Sequence, residues 1–154
     1  MSIEARLTEL GITLPVAAAP VAAYVSTVEA GGMLHISGQI SLGPDGLMTG
    51  RLGKDRELDY GVAAARICGL NLIAQMKAAL GSLDRVERIV KLGAFISSAP
   101  SFTDQPKVAN GASELMVEVF GEAGKHARSA VGVPVLPLGA VVEIDAIVLV
   151  RPAA

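Results

Sequence analysis

A change of hydrophobic period along the chain restricts the fold more than any other feature. From Leu58 to Leu80, the residues Val62, Ala65, Leu72, Met76 and Leu80, with Ile73 beside them, recur at helical spacing, and Gly81 ends the run. Several other stretches show the spacing of strands. Ala23 to Val28 and Met33 to Ile40 flank Gly31-Gly32, a hairpin signal. The turn Gly43-Pro44-Asp45-Gly46 leads into a third short strand with Leu47 and Met48. Val86 to Ser97 is β-branched, with Phe95 near its end. Asn110 to Gly121 reads as a second helix through Leu115, Met116, Val119 and Phe120, and two strands follow, Ala127 to Val133 and Ala140 to Val150. A short helix over residues 2–10, with Ser2 as N-cap and Gly11 as its stop, precedes them all. The order β-β-β-α-β-α-β-β packs most economically as an α+β fold, one mixed or antiparallel sheet of about six strands with two helices on one face.

The last strand says what lies on the other face. Val142, Ile144, Ala146 and Val148 point one way, and Val141, Glu143, Asp145 and Ile147 the other. The first set suits burial under the helices. The second mixes apolar side chains with two acids and belongs on the face the helices leave open. The chain has 154 residues, enough for one domain, with 51% hydrophobic and only 18% charged residues, against about 25% charged in ordinary domains. That excess points to subunit contacts, with a tightly packed monomer as the alternative, and an open, half-apolar sheet face is a natural place for such contacts.

Composition also removes several function classes. With a net charge of −2, no run of Lys or Arg, three Phe, two Tyr and no Trp, the chain offers neither a basic nucleic-acid surface nor a base-stacking platform. No apolar run reaches the roughly 18 residues of a membrane span. The Ala- and Val-rich stretch Ile12 to Val25 is broken by Pro15 and Pro20 and preceded by Glu4 and Glu9, unlike an export signal. The single cysteine, Cys68, excludes an internal disulfide, fits a reducing cytoplasm, and reads as a packed thiol beside Gly69. Two histidines, His35 and His126, without clustered Cys or acids do not make a zinc site, and His126 reads as a solvated loop histidine. Ser37 lacks the His-Asp set of a nucleophilic triad.

Arg128 is the residue that asks for a function. It opens the stretch Arg128-Ser129-Ala130-Val131, which leads through Leu136-Pro137 into the strand carrying Glu143. A guanidinium is always charged and presents a planar fork that matches a carboxylate. Among Val, Leu, Ile and Ala it takes one of two partners: Glu143 or Asp145 in a structural ion pair, or an acidic ligand.

Two sets of residues carry a resemblance. Tyr24-Val25, Gly32-Met33, Ile36 and Ser37-Gly38-Gln39-Ile40 form the first; Arg128-Ser129-Ala130-Val131, Leu136-Pro137 and Val142-Glu143-Ile144 form the second. Together they resemble the signatures of the YjgF/YER057c/UK114 family, also called the reactive-intermediate deaminase or L-PSP endoribonuclease family. Phe102 and Asn110 fall where that family has an aromatic residue and an asparagine opening its second helix. The resemblance covers roughly Val21 to Val150, so residues 1–20 form an N-terminal helix and extended lead-in, and 21–154 the family domain.

The resemblance implies a chorismate-mutase-like fold, a homotrimer with ligand clefts between subunits, and an arginine gripping the carboxylate of a small acid. For the well-studied branch it implies hydrolysis of enamines and imines such as 2-aminoacrylate to 2-keto acids and ammonia. Carried onto this chain, the catalytic pair is Arg128, holding the carboxylate, and Glu143, positioning water or passing a proton to the leaving amine. Tyr24, Ser37, Gly38, Asn110 and Ala130 are the substrate-binding set: Tyr24 closes the cleft, backbone near Ser37-Gly38 and Ala130 holds substrate or water, and Asn110 caps the second helix or reaches the site. No metal or cofactor is implied, because an imine is already reactive. Ala130 stands where cysteine is common in the family, and the segment Phe120 to Ala127 is spaced differently. Two further functions stay open: a non-catalytic trimer that binds a keto acid as sensor or scavenger, and RNA cleavage or inhibition of translation, which acidity and sparse aromatics disfavour.

Overall fold

The computed structural model describes residues 1–20 and 22–153. Val21, where the resemblance begins, and Ala154, which ends the expected domain, lie outside the described residues. In chain order the elements are α1 (Ile3–Glu9), β1 (Thr27–Ala30), β2 (Met33–Ile40), β3 (Leu42–Gly43), β4 (Gly46–Leu47), α2 (Leu58–Leu80), β5 (Val86–Ser97), α3 (Gln105–Phe120), β6 (Ala127–Val133) and β7 (Val142–Val150). Five strands form one mixed sheet in the order β1-β2-β7-β5-β6. β5 and β6 pair in parallel, which a tight turn cannot achieve, so α3 serves as the crossover between them. β7 inserts between β2 and β5, antiparallel to both.

Several boundaries differ from the sequence reading, each for a physical reason. The strand expected around Leu47 pairs only with Leu42–Gly43 in a separate two-stranded ribbon, so the main sheet has five strands. β1 begins at Thr27 rather than Ala23, because the chain before it bends, with the Tyr24 N–H bonded to the Ala22 carbonyl. α3 begins at Gln105, five residues before Asn110: Pro106 sits in the first turn, where its missing N–H costs nothing. Val141, assigned by alternation to the open face, is fully buried. It precedes β7, and its N–H and carbonyl bond Met48 and Ser97.

Both long helices cover one face. Cys68, Leu72, Ile73 and Met76 of α2, with Ala112, Leu115 and Met116 of α3, pack on Leu34, Ile36, Leu92, Ile96, Val142, Ile144 and Val148 of the sheet, all buried. The helices approach closely because Gly111 has no side chain; a Cβ there would collide with the Val62 carbonyl. Cys68 is the packed thiol expected, its Sγ 3.5 Å from the Val142 carbonyl. Burial pushes its pKa well above the ordinary range, and the Glu143 charge adds to this, so it has little thiolate character.

The N-terminal helix is docked rather than loose. Ser2 Oγ caps the Ala5 N–H at 3.0 Å, Leu7 is buried, and the Ile3 N–H donates to Asp84 at 2.8 Å. Glu4 accepts from the Leu83 N–H at 2.8 Å and pairs with Lys77 at 2.9 Å. The extended lead-in is held by Gln75 of α2, which is buried and donates to the Ala18 carbonyl at 2.8 Å.

Candidate functional site

The edge strand β6 and its crossover helix build one group of the expected residues. Arg128 lies opposite Leu92 and Ala130 opposite Ala94, both buried partners, so Arg128 and Ala130 face the helix side of the sheet. From there the half-buried Arg128 reaches α3. Its Nη1 donates to Asn110 Oδ1 at 2.9 Å and to Ser113 Oγ at 3.1 Å, and its Nη2 to the Pro106 carbonyl at 3.2 Å. All three acceptors are neutral. Among the described residues no carboxylate pairs with this guanidinium. The structural ion pair with Glu143 or Asp145, one of the two alternatives, is not formed. Nε, and the second hydrogen of Nη2, remain without a protein acceptor among those residues. Nε–H lies on a side edge of the fork that a carboxylate oxygen can meet.

Asn110 therefore does not cap α3; it lies inside the helix and orients the arginine. Ser113 was not foreseen. It follows Asn110 by three residues and shares its helical face, which is the sequence signal that would have found it. His126 also departs from expectation. It is half-buried, with Nε2 2.8 Å from Ser113 Oγ and Nδ1 2.6 Å from the Gly124 carbonyl. Burial pushes its pKa down, and the Arg128 charge acts in the same direction against the pull of the Gly124 carbonyl. Ser113, Val117, Lys125, His126 and Arg128 line an open hollow of about 450 Å³.

A second group forms around β2 and β7. The pairing of β2 with β7 slips between Ile36 and Gln39, a bulge that holds Ser37 and Gly38. Ser37 ties the preceding segment to the sheet: its Oγ donates to the Val25 carbonyl at 3.0 Å and its N–H to that of Ser26 at 2.9 Å. Tyr24, just before, is exposed. Gly38 lies against Glu143, and a Cβ there would collide with the carboxylate. Glu143 and Asp145 point away from the helices and are half-buried. Burial raises the Glu143 pKa, and the neighbouring Asp145 raises it further. Burial also raises that of Asp145, opposed by a backbone bond at Gly93 and by Lys91.

The structure thus brings Arg128, Asn110 and Ala130 together, and separately Ser37, Gly38 and Glu143 with Tyr24 nearby. It does not bring the two groups to one place within the protomer. β5 lies between β7 and β6, a spacing of about 10 Å across the sheet, and the groups face opposite sides.

Comparison with known proteins agrees with the fold. Residues 4–148 match the family described as "YjgF/chorismate mutase-like, putative endoribonuclease", and the chain belongs to it. The chain is 56% identical over 148 residues to Protein TCP17 of Trypanosoma cruzi, covering 95% of this chain and 92% of that protein. It is 29% identical over 142 residues to a protein of Dermatophagoides farinae named 2-iminobutanoate/2-iminopropanoate deaminase, covering 91% and 95%. Among solved structures, a "putative endoribonuclease" from Shewanella oneidensis superposes with a TM-score of 0.93 at 36% identity, covering 97% of this chain and 100% of that one. TdcF of E. coli with bound serine superposes at 0.62 with 29% identity, covering 88% and 94%.

Proposed function

We propose that this family member is a small-molecule hydrolase that converts reactive 2-imino or enamino acids to 2-keto acids and ammonia, at clefts between the subunits of a homotrimer. The observation that carries this reading is Arg128: a half-buried guanidinium braced by three neutral acceptors, with one edge left for an acid. A charge kept half-buried without a protein counter-ion is costly unless an anion completes it. A relative named as a 2-iminobutanoate/2-iminopropanoate deaminase and a structural neighbour holding serine both fit a ligand that carries a carboxylate beside an amine or imine.

The chemistry follows from the substrate. A 2-imino acid offers a carboxylate, an electrophilic carbon and a nitrogen that gains charge as water attacks. Arg128 takes the carboxylate in two parallel charge-assisted bonds, with Asn110 fixing the plane of the fork. Glu143, whose pKa is raised by burial, is poised to take a proton from the water and pass it to nitrogen. The C–N bond of the carbinolamine then breaks, ammonia leaves, and the keto acid remains. Backbone at Ser37-Gly38 holds water or substrate, Ala130 leaves room beside Arg128, and exposed Tyr24 closes the cleft. The imine is electrophilic enough to need no cofactor.

Two protomers are required by this reading because Arg128 and Glu143 face opposite sides of one sheet. The helix-free face and its rim expose Val28 and Val131, a surface suited to contact with a second copy. The lone buried thiol suits the cytoplasm, to which we assign the protein.

The test is release of keto acid from 2-iminopropionate generated in place by an amino-acid oxidase. Faster release with protein than with buffer, lost in Arg128→Ala, is expected. Arg128-dependent binding of 2-oxobutyrate without any acceleration would instead identify a metabolite sensor or scavenger. RNA cleavage that survives Arg128→Ala would overturn both.

A further inference from the structure

A chain of hydrogen bonds runs from the arginine away from the proposed chemistry, through Ser113 to His126 and the Gly124 carbonyl. Its directions are dictated by the groups. The Gly124 carbonyl only accepts, so Nδ1 of His126 carries a proton. A guanidinium only donates, so Ser113 Oγ accepts from Arg128. The serine proton is left for Nε2, which accepts it. Neutral imidazole completes this arrangement. The fold enforces it: Gly124 packs where a Cβ would collide with the Met116 carbonyl of α3, and this holds the turn so that His126 meets Ser113.

Protonating His126 rearranges the chain. Nε2–H then donates to Ser113 Oγ, which already accepts from Arg128, and the serine hydroxyl proton must turn elsewhere. Ser113 lines the open hollow beside Arg128, so that proton turns toward whatever occupies it. The second positive charge is opposed by Arg128 itself. The other charges nearby are Lys125, paired with Glu122 at 2.9 Å, and Arg88 of β5, bonded to the Lys125 carbonyl at 2.8 Å, with Lys91 of β5 opposite Ala127. From α3 the hollow receives neutral Ser113 and Val117.

We propose that His126 is a proton-linked positioning residue: a carboxylate docking on Arg128 draws a proton onto His126, and Ser113 turns its hydroxyl to the bound acid. This rests on the reading that Arg128 grips an organic acid. The carboxylate cancels the guanidinium charge that disfavours imidazolium, so one solvent proton is taken up per acid bound where His126 changes state. Linkage then requires the acid to bind more tightly as pH falls toward and below the ordinary histidine range of about 6.5. The downward displacement of the His126 pKa by burial and by Arg128 in the free protein fits this direction.

Calorimetry with 2-oxobutyrate from about pH 5 to pH 8, in two buffers of different ionisation enthalpy, tests the proposal. Wild type is expected to bind about three- to tenfold more tightly at the acid end, with net proton uptake. His126→Gln is expected to abolish both, whereas His35→Gln retains both. Arg128-dependent binding with neither pH dependence nor proton uptake would overturn the proposal and leave the hydrolase reading standing. Absence of binding at every pH would overturn both. A ligand-free readout separates them: imidazole NMR titration should show the His126 pKa rising in Arg128→Gln, and an unchanged value rejects the coupling.

Discussion

The β6 edge and the β2–β7 face handle charge in opposite ways. At the β6 edge a cation is held in place by neutral oxygens and left facing a hollow. At the β2–β7 face a carboxylate is pressed into the space above a glycine, beside a second acid, and is pushed toward its protonated form. Under the proposed hydrolase reading each group is incomplete alone: a grip without chemistry on one side, a proton carrier without a grip on the other. Because register puts them on opposite faces and β5 separates their strands, the protomer cannot satisfy its own charges by pairing them. The difference teaches that half-buried charge of opposite sign can be kept apart within one sheet, which on the proposed reading leaves each charge for another molecule.

The comparison is broken or sharpened most by separating the two halves. Arg128→Ala and Glu143→Gln are each expected to lower turnover at least about a hundredfold. Co-expressed in mixed assemblies, the two variants should regain activity at interfaces that retain both native residues. No recovery on mixing would break the idea of a shared site. Next in size is Gly38→Ala. Its Cβ forces the Glu143 carboxylate aside, seen as a lower kcat. An unperturbed variant would show that the carboxylate has room to move.

Smaller effects refine each half. Ser113→Ala removes one of the three bonds bracing Arg128, worth about 1 kcal/mol, so KM should rise about fivefold while kcat holds. An unchanged KM would mean that Asn110 and Pro106 suffice. The smallest effect is on stability. The Glu143 pKa is raised on folding, so its charged form carries a cost in the native state. That cost is absent in acid and appears as pH rises through the unfolded and then the folded value. Glu143→Gln should therefore melt higher than wild type near neutrality, with the gain fading as pH falls toward about 4. A pH-independent difference would show that Glu143 titrates like an exposed glutamate.

How much was legible in the sequence follows from the range of each interaction. α2 runs from Leu58 to Leu80 as its periodicity implies, because repeat and stop are both local. α3 was misplaced at its start because Pro106 carries opposite meanings in a first turn and in a helix interior. The expected site residues were picked out by residue type and resemblance, yet their division into two groups was invisible: it depends on β7 entering between β2 and β5. His126 looked like a surface loop residue, since its neighbour Ser113 comes from a helix whose face toward β6 no local pattern specifies.

By itself the sequence determined the type and order of the main helices and strands, and that one arginine among apolar neighbours would need an acid. Those are energies of neighbouring residues, summed over a few turns or pleats. Only the tertiary structure decided which charges share a face. Strand pairing is a long-range choice, and a shift of one residue in either strand would have put Arg128 and Glu143 on the same side of their sheet.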